Sequence, residues 1–263
     1  MKRKLSINDS LVRNNDQLLP KKCPSRSRNI FTDIKYFFID KPPVKTLIHF
    51  DTDEERQIYS ESILQRLGTG VENYRMLNIH RIGVEAPVNY VFEELLKWNG
   101  DSFCWPNHIA KVNLLDNKLE KIQIFLFGRT KYLFGLKNGI FGLKLFHLFD
   151  LNAIRIQKVP APDDSDNARY LLYQCKGGYP IGIFSMYVRS SIPERGETEM
   201  SQLFIMVGFN FYGKSSLSKI KLVRKVWELI HNRVTTNVVY RIKQLSEWRF
   251  DKFVSGNSYT KNE

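Results

Sequence analysis

The chain has 263 residues, 43% of them apolar and 25% charged, which is enough to bury a core and excludes a globally disordered or collagen-like polymer. Its formal net charge of +13 is uneven: residues 1–30 carry +6, residues 214–250 carry +7, and the remainder is neutral, which is not the pattern of a uniformly basic nucleic-acid-binding coat. The three cysteines, Cys23, Cys104 and Cys175, are widely spaced and form no CxxC, so we expect no disulfide framework and no zinc site. In the most apolar stretch, Ile122 to Leu151, Arg129, Lys131, Lys137, Lys144 and Asp150 break the roughly 20 uninterrupted residues that a spanning helix needs. No apolar run follows Met1-Lys2-Arg3-Lys4, so the reading is a soluble, cytoplasmic protein without a signal peptide.

In chain order, residues 1–30 read as a basic, disordered arm, and residues 31–50 as an extended segment lying on the domain surface. Asp51 or Thr52 caps a predicted helix whose first turn holds Asp53, Glu54 and Glu55; it runs to about Leu67 and stops at Gly68 and Gly70. A strand follows over 73–84. Ala86-Pro87 then opens a helix with Val88, Val91, Phe92, Leu95 and Leu96 at helical spacing, ending near Trp98-Asn99-Gly100. Trp105-Pro106 marks a short helix or turn. Strand character recurs over 109–116, 119–128, 140–151, 153–160, 169–176, 181–192 and 199–211. From Leu217 to Trp248 there is neither Gly nor Pro, and apolar residues at 220, 223, 227, 230, 234, 238, 242 and 245 define one face of a long helix. The organisation expected is an extension over 1–70, a domain over 71–250 and a tail over 251–263.

Consecutive strands with short turns imply an antiparallel sheet, hence an α+β fold, and a long helix with one apolar face needs a curved sheet to grip. This order resembles the helix-grip fold of the START-like, or SRPBCC, superfamily, which includes polyketide cyclases and lipid-transfer domains. The resemblance rests on the strand leading into Ala86-Pro87-Val88 and Phe92, on Trp105-Pro106 before the next strand, and on the closing helix through Trp227 and Trp248. The segments Gly177-Gly178-Tyr179-Pro180-Ile181-Gly182 and Val207-Gly208-Phe209-Asn210-Phe211-Tyr212-Gly213 look like a bacterial branch of that superfamily. The resemblance covers about residues 71–250 and implies a curved antiparallel sheet wrapped around a long C-terminal helix. It also implies a cavity between them that holds a hydrophobic small molecule.

Alternation in strand 181–192 puts Ile183, Ser185, Tyr187 and Arg189 on one side; in strand 199–211 it puts Gln202, Phe204, Met206, Gly208 and Asn210 on one side. If the sides bearing Tyr187, Arg189, Gln202 and Asn210 face the cavity, Arg189 can bind a carboxylate or phenolate and Tyr187 can donate to a carbonyl; otherwise these sides are the wet face of the sheet. His108, beside Trp105-Pro106, is the best placed of the five histidines for proton transfer, and Trp227 lies on the apolar face of the long helix. Cys104 and Cys175 read as small core residues. Gly128, Gly135, Gly139 and Gly142 among phenylalanines read as bends of a curved sheet, and neither a phosphate-binding loop nor a dinucleotide fingerprint occurs.

Three functions fit the sequence. The first is a non-catalytic carrier or sensor of a lipid or polyketide-like molecule, needing neither metal nor cofactor. The second is a cyclase or aromatase using Tyr187, Arg189 and His108. The third is an adaptor using its basic arm on an anionic membrane, with nucleic acid the weaker partner.

Overall fold

The computed structural model describes residues 35, 39, 43–68, 76–96, 110–114, 119–126, 147–162, 164–176, 181–191, 198–209 and 221–259. The first helix, α1 (Asp53–Arg66), starts where its cap predicts: Thr52 Oγ1 accepts the Glu55 N–H at 3.1 Å. It stops at Gly68, whose φ of +72° lies in the left-handed region that a residue lacking Cβ adopts at least cost. Strand β1 (Met76–Val84) then leads to Pro87, which caps α2 (Val88–Leu95). Six strands follow: β2 (Ala110–Leu114), β3 (Lys121–Leu126), β4 (His147–Gln157), β5 (Arg169–Lys176), β6 (Ile181–Ser190) and β7 (Ser201–Phe209). The chain closes with α3 (Lys221–Tyr259), 39 residues and about 58 Å long.

All seven strands form one antiparallel sheet in the order β1-β7-β6-β5-β4-β3-β2. The architecture is therefore α+β in the helix-grip arrangement, as expected. Register shifts occur in the β3–β4, β4–β5 and β6–β7 ladders, and such irregularities bend and twist a sheet locally.

Two particulars differ from the sequence reading. The predicted strands 140–151 and 153–160 are one strand, β4, because Asn152 makes no turn and the pairing continues across a shift between Ala153 and Arg155. The predicted tail is helical as far as Tyr259. Rings of Phe250 and Phe253 pack 5.2 and 6.0 Å from the Tyr90 ring, and Arg249 Nη2 pairs with the buried Glu94 carboxylate at 2.8 Å. These contacts hold α3 against α2 beyond the last step of its apolar pattern.

Each face of the sheet has its own core. On the inner face, Leu171, Tyr173, Met186, Val188, Leu203, Ile205 and Val207 pack with Phe92 and Leu95 of α2 and with Val238, Val239, Ile242 and Leu245 of α3. On the outer face, Tyr170, Leu172, Ile183, Tyr187, Phe204 and Met206 pack with Ile63, Leu64 and Leu67 at the end of α1. The segment before α1 covers the free edge of β1: Ile48 N–H donates to Ile79 C=O at 2.9 Å, and Arg81 N–H donates to Thr46 C=O at 2.8 Å.

Leu64 is 0% exposed, so Leu64→Ala should lower stability by about 2–4 kcal/mol in urea titration. A loss below about 0.5 kcal/mol would mean that α1 does not cover the sheet in solution.

Candidate functional site

The outer face gathers three of the residues singled out in the sequence, though not around a cavity beneath α3. Tyr187, 1% exposed, accepts a hydrogen bond at its hydroxyl from Arg66 Nη1 at 3.1 Å. The same Arg66 nitrogen donates to Asp166 Oδ2 at 2.5 Å, an ion pair that holds the guanidinium firmly charged. Asp166 is set by its turn, where Asp164 Oδ1 and Oδ2 accept the N–H groups of Asp166 and Ala168 at 3.0 Å. Arg189 donates through Nε and Nη2 to Gln202 Oε1 at 3.3 and 3.0 Å, lies over the Phe204 ring at 5.4 Å, and reaches Asp166 at 3.8 Å.

The condition for a polar patch in the sheet–helix space, that the Tyr187 and Arg189 side faces α3, is thus not met. Nor is that side simply wet, because α1 lies on it. Burial pushes the Tyr187 phenol above its ordinary range, and Arg66 only partly opposes this, so the group stays protonated. Tyr187, Arg189 and Gln202 join Arg66 and Asp166 in fastening α1 and the β4–β5 turn to the sheet. His108 and Asn210 lie outside the described residues.

Trp227 is on the other side of the sheet. It is partly buried on α3 against the inner core, with the His231 ring 4.4 Å away. His231 Nδ1 lies 2.7 Å from Trp227 C=O, which requires the proton on that nitrogen, and burial lowers the pKa of the ring. Cross-strand neighbours Tyr173 and Phe184 stack at 6.5 Å on the same face. At the start of β5, Arg169 brings a cation into this apolar surface: its guanidinium lies over the Phe92 ring at 5.9 Å. Among the described residues its Nε is buried without a hydrogen-bond partner, and desolvation lowers its pKa against the raising charge of Glu93. Sequence reading missed Arg169; its parity with Leu171 and Tyr173 in β5 was the available signal. Cys175 is half-buried on this face with its thiol pushed upward by burial, the state of an inert core thiol rather than a nucleophile.

A third polar group joins β1, α3 and the extension. His80 is 0% exposed. Its Nε2 faces Asn232 Oδ1 at 3.2 Å, an oxygen that also accepts from Asn78 Nδ2 at 2.8 Å. On the other side of the ring, Nδ1 lies 2.9 Å from Thr46 Oγ1. Thr46 Oγ1 donates to Thr236 Oγ1 at 2.9 Å, and Thr236 Oγ1 donates to Asn232 C=O at 2.8 Å. Desolvation pushes the His80 pKa down to about 4. Among the described residues, no group of three or more His, Cys, Asp or Glu side chains could hold a metal ion, and no helix is long and apolar enough to cross a membrane.

No protein-family model and no curated protein matches the chain. Among solved structures, an aromatase/cyclase from a Streptomyces species is similar at 16% identity and a TM-score of 0.40, over 66% of this chain and 94% of that one. Truncated norcoclaurine synthase from Thalictrum flavum is similar at 9% identity and a TM-score of 0.36, over 65% and 92%. A conserved protein from Geobacillus kaustophilus follows at 15% identity and a TM-score of 0.33, over 64% and 96%. Likenesses this distant assign neither ligand nor reaction to this chain.

His80 titrates near 4 when folded and near 6.5 when unfolded, so the unfolded chain binds more protons between those values and stability rises with pH across that window. It is fully present above pH 6.5 and lost as pH falls toward 4, by roughly 3 kcal/mol in all. Denaturant titrations from pH 7.5 to 5 should show a loss of roughly 2 kcal/mol from this residue, absent in His80→Gln. Parallel profiles for the two proteins would contradict the buried neutral imidazole. Burial of His231 adds a slope of the same sign to both.

Proposed function

We propose that the protein binds an apolar small molecule with an anionic or acceptor oxygen between the inner face of the sheet and α3, as a carrier or sensor. The observation supporting this reading is Arg169: a guanidinium beside aromatic and aliphatic side chains whose buried Nε has no partner among the described residues. Buried polar groups are almost always hydrogen-bonded, and a ligand oxygen would satisfy this one. The guanidinium supplies a directional, permanently charged donor, while Tyr173, Phe184 and Trp227 supply aromatic surface. The arginine stays charged, and the carbonyl of Trp227 accepts the His231 Nδ1 proton. The cyclase reading needed Tyr187 and Arg189 in this space, and both lie on the outer face.

The test compares two fluorescent probes, anionic 8-anilinonaphthalene-1-sulfonate and neutral Nile red. Both should bind the native protein. Arg169→Leu should weaken the anionic probe by about tenfold or more, as expected for a lost charge-assisted hydrogen bond, and leave the neutral one within about twofold. Equal weakening of both, with unchanged circular dichroism, would remove Arg169 as the polar anchor. Absence of probe binding, and of any co-purified apolar compound in native mass spectrometry, would overturn the carrier reading altogether.

A further inference from the structure

The N-terminal turns of α3 are apolar on two sides. Trp227, Val234 and Val238 face the inner core. Leu222, Val226, Leu229 and Ile230, at i, i+4, i+7 and i+8, form a second stripe turned away from it, 69%, 46%, 67% and 41% exposed. A solvent-facing helix surface ordinarily carries charge. Here four consecutive large apolar side chains of one face meet water instead, with exposed Lys225 on the flank and half-buried Arg233 next along the stripe. Residues 221–233 hold four basic side chains against one acidic, and the 37 residues from 214 to 250 carry +7.

We infer that this stripe docks on the surface of an anionic lipid bilayer, with the apolar side chains entering the acyl boundary and the basic ones pairing with head groups. The charge decides the occupant. Two copies packed stripe to stripe would bring their basic flanks together, and four side chains fall well short of the roughly 800 Å² per partner of a stable protein interface. An anionic bilayer complements both features: it takes apolar side chains from a helix lying in its plane, and it attracts each nearby Lys or Arg by about 1 kcal/mol. The helix is too polar elsewhere to insert across the membrane. The same turns carry Trp227, which packs against the inner core, so docking would bring the inner face of the sheet close to the lipid.

The test is co-sedimentation of the full chain with vesicles of phosphatidylcholine alone or with about 30% phosphatidylserine. Binding should appear only with phosphatidylserine and should weaken at high salt. The variant Leu222→Glu/Leu229→Glu should bind these vesicles at least about tenfold more weakly, with an unchanged thermal midpoint because both side chains are exposed in the native protein. Leu229→Gln alone should move in the same direction by a smaller factor. Full binding by both variants would assign vesicle contact to another surface and overturn the inference. So would binding that ignores phosphatidylserine, or a dimer in sedimentation equilibrium that the variant abolishes.

Discussion

The arrangement depends on one constraint: the central strands of the sheet are apolar on both sides and must be covered on both. In β7, Leu203, Ile205 and Val207 belong to the inner core, while Phe204 and Met206 belong to the outer one. Each fully buried side chain of this size is worth about 1.5–3 kcal/mol only if water is excluded from it, so an uncovered face would forfeit most of what the strand contributes. The helix-grip arrangement covers one side with α2 and α3. Among the described residues the other side is covered by α1 and by Ile48, from a part of the chain that precedes β1. What reads in the sequence as an extension thus completes the hydrophobic packing of the sheet, and α1 buries Ser60, Ile63, Leu64 and Leu67 along one face to do so.

This constraint reassigns the polar residues. An arginine or tyrosine emerging from a covered sheet face either meets a partner or is stranded. On the outer face the partners exist: Arg66 comes down from α1 and Asp166 up from the β4–β5 turn, so that Tyr187, Arg189 and Gln202 are consumed in holding α1 down. On the inner face Arg169 has the Phe92 ring and, among the described residues, no hydrogen-bond acceptor at Nε. The contrast between a satisfied cluster and a guanidinium with an unpartnered nitrogen directs the functional reading to the inner face.

Much of this was legible in the sequence. Strand character between turn signals placed β5, β6 and β7 within a residue or two, and the Thr52 cap and Gly68 stop bounded α1. The error lay in treating one side of β6 and β7 as wet or cavity-facing. The run Leu203-Phe204-Ile205-Met206-Val207 is apolar without alternation, which is the mark of a strand buried on both faces. Read together with Ser60, Ile63, Leu64 and Leu67 at helical spacing, it points to a helix lying on the outer face. The fastening of Arg66 to Tyr187 joins residues 121 apart, and no local pattern announces such a pairing.

His80 shows the same limit from the polar side. The histidine of β1 carries no sequence signal, because its partners Thr46 and Asn232 stand 34 and 152 residues away. Their convergence nevertheless does what apolar packing cannot. Van der Waals contacts tolerate a helix sliding by part of a turn, whereas a buried imidazole with a polar partner on each side fits a single registration of β1, α3 and the edge segment. A shift of α3 by one residue would carry Asn232 and Thr236 away together and strand His80, Asn78 and Thr46 in the interior at the desolvation cost of each. The network thereby fixes the register of α3 on the inner face. It also leaves Leu222, Val226, Leu229 and Ile230 on the first turns, ahead of that anchor and turned away from the sheet.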